Sequence, residues 1–130
     1  MDARSAALAY RESSLENAPP IKIVRLMYEG AIRFLDRAVA AHGEGADNRT
    51  THWLARADAI IAELRCSLDR SHDAQLCEQL DQLYVFVQDQ IARSIVEKQL
   101  STIPDARSVL VKLLDGWSQI ELATAATEST

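Results

Sequence analysis

Val24-Arg-Leu-Met27-Tyr28-Glu-Gly-Ala31-Ile-Arg-Phe34-Leu35-Asp-Arg-Ala38 returns an apolar side chain to one side every three or four residues. That is the period of an α-helix with one buried stripe. Three further segments repeat it. Trp53, Leu54, Ala57, Ile60, Ile61, Leu64 and Leu68 form one stripe. Leu76, Leu80, Leu83, Tyr84, Val87, Ile91 and Ile95 form another. The last is Ala106, Val109, Leu110, Leu113, Trp117 and Ile120. The spacing predicts helices over about 20–42, 48–70, 73–100 and 103–122.

Punctuation agrees with these spans. Pro19 and Pro20 suit the first turn of a helix, where a missing amide hydrogen costs nothing. His42-Gly43-Glu44-Gly45 supplies glycine for a left-handed stop. Asn48 or Thr50 is expected to cap the second helix, and Ser71 or Asp73 the third. Connections this short force neighbours to run antiparallel, so the expected fold is all-α, an up-down four-helix bundle. Residues 1–18 read as an N-terminal arm, lid or helical cap, with Leu8, Tyr10 and Leu15 as their large apolar residues. Residues 123–130 read as a frayed tail.

The chain has 130 residues, enough for one domain with a real core. Hydrophobic residues make up 48% and aromatics 5%, so Leu, Ile, Val and Ala must do most of the packing. Four glycines and three prolines are too few for a many-stranded β fold. A net charge of −5 gives no basic footprint for nucleic acid or an anionic membrane. No apolar run approaches the roughly 20 residues that span a bilayer. Met1 to Tyr10 lacks the basic start and apolar run of a signal peptide. Cys66 and Cys77 have no metal-ligand spacing, and read as buried or half-buried thiols in a reducing compartment. A soluble, cytoplasmic protein without membrane insertion is expected.

Catalytic chemistry needs convergent polar groups, and the sequence offers few. His42, His52 and His72 fall at or near helix ends. There is no Glu-x-x-His, His-Glu-x-x-His, Gly-x-Gly-x-x-Gly or P-loop. A histidine phosphotransfer bundle needs an exposed mid-helix histidine, followed shortly by lysine and glycine. His52 is followed by Trp53, Leu54 and Ala55, and His72 lies in a loop. No enzyme, cofactor or metal is expected.

Residues outside the core stripes carry a second pattern. Ala55, Ala59, Ala62 and Cys66 share a face of the second helix, where small side chains leave room for another helix to approach. Val85, Ala92 and Val96 do the same on the third. Ile23, Leu26 and Gly30 lie beside the first stripe. These faces can form an apolar partner site, or pack on the N-terminal arm or a second copy of the chain; the readings are compatible, since an arm can cover a site until a partner displaces it. For the Ala row, simple helix preference is the competing explanation.

Together, four motifs in order resemble the FliS family of flagellar export chaperones. Tyr10, Leu15, Pro20, Ile23, Leu26, Met27, Tyr28, Glu29, Gly30 and Ala31 match the family's opening, with its Leu-x-x-Met/Leu-Leu/Met-Tyr-Asp/Glu-Gly-Ala run. Glu63-Leu-Arg-Cys-Ser67-Leu68-Asp69 resembles the end of its second helix. Leu80-Asp-Gln-Leu83-Tyr84-Val85-Phe86-Val87 resembles Leu-x-x-Leu-Tyr-x-Tyr-Met, and a late tryptophan, here Trp117, also fits. The match covers about residues 10–120. Departures are Pro19 for a capping Ser or Thr, Phe86-Val87 for Tyr-Met, and Lys98-Gln99 for Ala-Asn.

The resemblance implies a cytosolic chaperone that binds flagellin's disordered C-terminal segment, prevents premature polymerisation and hands flagellin to the flagellar type III export apparatus. It leaves room for a co-chaperone or a homodimer. The implied arm residues are Leu8 and Tyr10. The expected partner surface comprises Ile23, Leu26, Met27, Tyr28, Ala59, Ala62, Cys66, Val85 and Val96, although Tyr28 and Tyr84 also fit core positions with satisfied hydroxyls. A non-catalytic adaptor or regulator built on the same bundle is the alternative.

Overall fold

The computed structural model describes residues 2–13, 21–71 and 73–128. Within these, residues 10–13, 21, 120–121 and 123–128 are described by their backbone alone. Leu15, Pro19, Pro20 and His72 lie outside the described residues, as does the side chain of Tyr10. Five helices follow in order: α1 (Ala3–Ser13), α2 (Ile21–Gly43), α3 (Asp47–Cys66), α4 (Ala74–Glu97) and α5 (Ile103–Glu128). Among the described residues no strand occurs, and no helix is long and apolar enough to cross a membrane.

Helices α2 to α5 form the antiparallel four-helix bundle. Each packs on its two neighbours, and α2 and α5 close the ring. Cross-links at two levels fix the antiparallel sense. Tyr28 meets Trp117 while Asp36 meets Arg107. Along α3 and α4, Arg65 meets Asp81 while Thr50, Thr51 and Leu54 line a small cavity with Ser94, Ile95 and Lys98. The expected stripes supply the core: Val24, Ala31, Leu35, Leu54, Ile61, Leu80, Ile91 and Leu110 are all buried.

Helix ends follow local chemistry. At the end of α2, Gly45 adopts φ +73°, its amide donates to His42 O, and Ala46 N donates to Ala41 O. This paired arrangement is a Schellman stop, which uses a residue in the left-handed region. The tight turn starts α3 at Asp47, ahead of both residues expected to cap it. Ala46 occupies the cap position, and Thr50 instead donates its hydroxyl to Ala46 O at 2.9 Å. Helix α3 ends at Cys66, four residues before the expected 70, where Ser67 turns its hydroxyl back onto Leu64 O. Asp73, one of two expected caps, accepts from Leu76 N at 3.0 Å and starts α4. Lys98, at φ 54°, ends it. The backbone of α5 stays helical to Glu128, through most of the segment expected to fray.

The first part of the expected arm is the helix α1. Asp2 caps it, accepting from Ser5 N at 2.7 Å. That bond holds the Asp2 carboxyl below its ordinary value. Ala3, Ala6 and Ala7 are buried, so α1 presents small residues to the bundle. It packs on α5 and α4 and on no other described helix. Gly116 makes this approach close: a Cβ there would sit 2.8 Å from Arg4 O and 3.0 Å from Ala7 Cβ. The exposed Arg4–Asp115 ion pair (3.0 Å) adds little beside that packing.

Gly116→Ala therefore sets a backbone clash against about 1 kcal/mol of better helix preference in α5. A backbone oxygen cannot rotate away, so the clash wins locally. Hydrogen exchange should show residues 3–13 losing protection while the cooperative unfolding of α2–α5 is kept. Retained protection of α1 would refute the close-packing account.

Candidate partner-binding surface

The residues expected to bind a partner do not form one patch. Two shallow seams flank α3, and most of them fall along these. On the α2–α3 seam, Ile23 is 52% and Leu26 49% exposed, large values for aliphatic side chains. Gly30 continues their line into the bundle, where an added Cβ would meet Ile60 Cδ1 at 3.3 Å. Met27 is half-buried against the core.

Ala62 and Cys66 line a groove of about 290 Å³ between α3 and α4. Ala59 lies a turn further along α3 and is exposed. Across the groove, Val85 shares a helical face with Asp81 and Gln88 and is half-buried. Val96 is on the same face three turns on, near the end of α4, and is 81% exposed.

Tyr28 corrects the expectation. Its ring is 0% exposed, and its hydroxyl accepts from Trp117 Nε1 at 2.9 Å and pairs with the Tyr84 hydroxyl at 2.5 Å. A side chain sealed by α4 and α5 offers nothing to a partner. Leu8 is half-buried on α1, which rests against α4 and α5, away from both seams. The structure therefore does not bring Leu8 together with Ile23, Leu26 or Ala62. What α1 adjoins is a separate groove of about 400 Å³, lined by Ala6, Gln79, Gln82, Leu83 and Phe86.

The floor of the α3–α4 groove is small and apolar, but its walls are charged. Arg65 grips Asp81 with two nitrogens, Nε–Oδ1 at 2.8 Å and Nη2–Oδ2 at 3.2 Å, and donates from Nη1 to Gln88 Oε1 at 2.8 Å. Arg70 adds a contact to Asp81 at 3.5 Å. Such a two-pronged grip fixes geometry as well as charge. Hydrogen bonding from Arg65 holds the Asp81 carboxyl below its ordinary value. The second-face pattern missed this strap, because Arg65 and Asp81 lie 16 residues apart and neither belongs to an apolar stripe.

The thiols divide. Cys66, expected to be buried or half-buried, is exposed on the outward face it shares with Ala55 and Ala59, whereas Cys77 is buried. Burial pushes the Cys77 thiol up, away from the nucleophilic thiolate, and it donates to Asp69 O at 3.2 Å. His42 and His52 are exposed on α2 and α3. Among the described residues no group of His, Cys, Asp or Glu is placed to hold a metal ion.

Asp81 makes a pH prediction. Its folded carboxyl titrates below the unfolded value of about 3.9, so its stabilisation is present above that value. It is lost as pH falls through the folded value. Asp81→Asn should lower stability by about 1 kcal/mol at neutral pH, small because Arg65 is partly solvated. Thermal melts should show the gap to the parent protein closing below about pH 4. A gap independent of pH would contradict the ion-pair account.

Comparison with known proteins places the bundle. The family model described as flagellar protein FliS matches residues 3–124. The flagellar secretion chaperone FliS of Vibrio cholerae is 30% identical over 121 residues, covering 90% of this chain and 89% of that protein. The FliS of Campylobacter jejuni is 27% identical over 113 residues, covering 86% and 88%. FliSB of Pseudomonas aeruginosa is 24% identical over 124 residues, covering 92% and 98%. With the family match running from the start of α1 through most of α5, this chain belongs to the FliS family.

Proposed function

We propose that this flagellar secretion chaperone acts in the cytosol, holding the disordered C-terminal region of flagellin on the two seams beside α3. In this reading it blocks premature polymerisation and supports export through the flagellar type III system. Family membership supports the client class. The observation that carries the binding surface is the exposure of Ile23 and Leu26 along one seam and of Ala59, Cys66 and Val96 along the other.

The physics of the client suits such a surface. A disordered segment gives up conformational entropy when it binds, so it needs a long apolar track. Helical client segments could lay i, i+3, i+4 and i+7 anchors into seams floored by alanine. Side chains as small as Ala59 and Ala62 let a second backbone come close. The role requires no catalytic residue and no cofactor. Transfer to the export apparatus, and any co-chaperone or second copy, would use surfaces left free by the client.

Leu26→Asp and Ala62→Asp each place a charge where apolar contact is proposed. A stoichiometric amount of the parent protein should suppress flagellin polymerisation in vitro. Each variant should lose most of that suppression while keeping parental helicity and a cooperative melt. If the variants instead unfold, these positions belong to the core. If they suppress as well as the parent, the client lies elsewhere.

A further inference from the structure

Ten of the chain's arginines have described side chains, and they fall into two groups. Arg4, Arg25, Arg49, Arg65, Arg70, Arg93 and Arg107 each hold an Asp or Glu oxygen within 3.5 Å. Arg33, Arg37 and Arg56 hold none among the described residues. These three converge on one spot. Phe34 and Trp53 stack across the α2–α3 seam, ring centroids 5.4 Å apart and planes 22° apart. Arg37 lies over Trp53 at 4.8 Å, Arg56 over Phe34 at 5.0 Å, and Arg33 over Phe34 at 5.7 Å.

Three like charges gathered on a chain of net charge −5 call for a reason. Attraction to the ring faces holds them there. All three residues are exposed, so water reaches their forked donors. That fork matches a carboxylate. A long polyanion is disfavoured by the acidic remainder of the surface, whereas a short acidic stretch of protein is not.

Position then selects the occupant. Leu26, Gly30, Arg33 and Arg37 follow the 4-3-4 spacing of a single helical line, so the cluster continues the strip that carries Ile23 and Leu26. Seven residues separate Leu26 from Arg33, roughly 10 Å along the helix. We propose that Arg33, Arg37 and Arg56 form a carboxylate cradle for the client segment, which lays apolar side chains on Ile23 and Leu26 and acidic ones about two turns away on the cradle. This rests on the client reading above and adds the charge pattern that the segment must carry.

The test uses the full chain and a peptide spanning the C-terminal region of its cognate flagellin. Binding is measured at about 50 mM salt and at about 1 M, where the screening length falls to roughly 3 Å. The triple variant Arg33→Gln, Arg37→Gln, Arg56→Gln should keep the parental melt and bind about tenfold more weakly at low salt, with little difference at high salt. A peptide whose Asp and Glu are replaced by Asn and Gln should lose the same affinity on the parent protein, and lose nothing more on the triple variant. Equal binding by parent and triple variant at low salt overturns the cradle while leaving the client reading intact. So do losses that simply add. If the parent binds the unmodified peptide in neither salt, the client reading falls and the cradle with it.

Discussion

Tyr28 ties three helices together at one level of the bundle. Its hydroxyl on α2 takes the Trp117 indole hydrogen from α5 and shares a hydrogen bond with the Tyr84 hydroxyl from α4. All three side chains are buried, so breaking the chain would leave polar atoms unsatisfied at about 1–3 kcal/mol each. Leu, Ile, Val and Ala alone can pack in several sliding registers at similar cost. One buried polar link makes those alternatives expensive and selects a single alignment. α3 joins the same alignment through Gly30, whose missing side chain admits Ile60.

Once the register is set, the two sides of the bundle are used differently. Between α4 and α5 the Ala-faced α1 seals the bundle against Gly116. Around α3 nothing described covers the seams, and the outward residues alternate between aliphatic, small and charged. Arg65, Asp81 and Gln88 brace the α3–α4 groove without filling it, which keeps the floor open and its geometry fixed. A rigid scaffold with an accessible track is what capture of an unstructured segment requires, since the scaffold then contributes little ordering cost of its own.

The four bundle helices were legible because their stripes are long and their large apolar residues recur at helical spacing. The register was not. Periodicity assigns Tyr28 and Tyr84 to a side of a helix, but only the fold shows that their hydroxyls meet. α1 was obscure for a different reason. Its buried residues, among those with described side chains, are Ala3, Ala6 and Ala7, which carry almost no hydrophobic signal, so attention fell on Leu8 and Tyr10. The glycine that admits α1 lies more than a hundred residues away, at position 116. The outward positions Ile23, Leu26 and Val96 could be read as off-stripe, whereas the Arg33–Arg37–Arg56 cluster depends on α2 and α3 meeting at Phe34 and Trp53. Charged residues on helices default to a solvated face, and nothing local in the sequence marks these three as lacking a carboxylate partner among the described residues.

If an apolar track beside α3 captures a segment that folds as it binds, the two partners must bury apolar surface together. Titration calorimetry at several temperatures, using the full chain and the cognate flagellin C-terminal peptide, measures that directly. Capture on the track should give one-to-one binding with a clearly negative heat-capacity change, because apolar surface leaves water on both partners. A gain in total helical signal should accompany it. Absence of binding, or binding with a heat-capacity change near zero, would contradict capture on an apolar track.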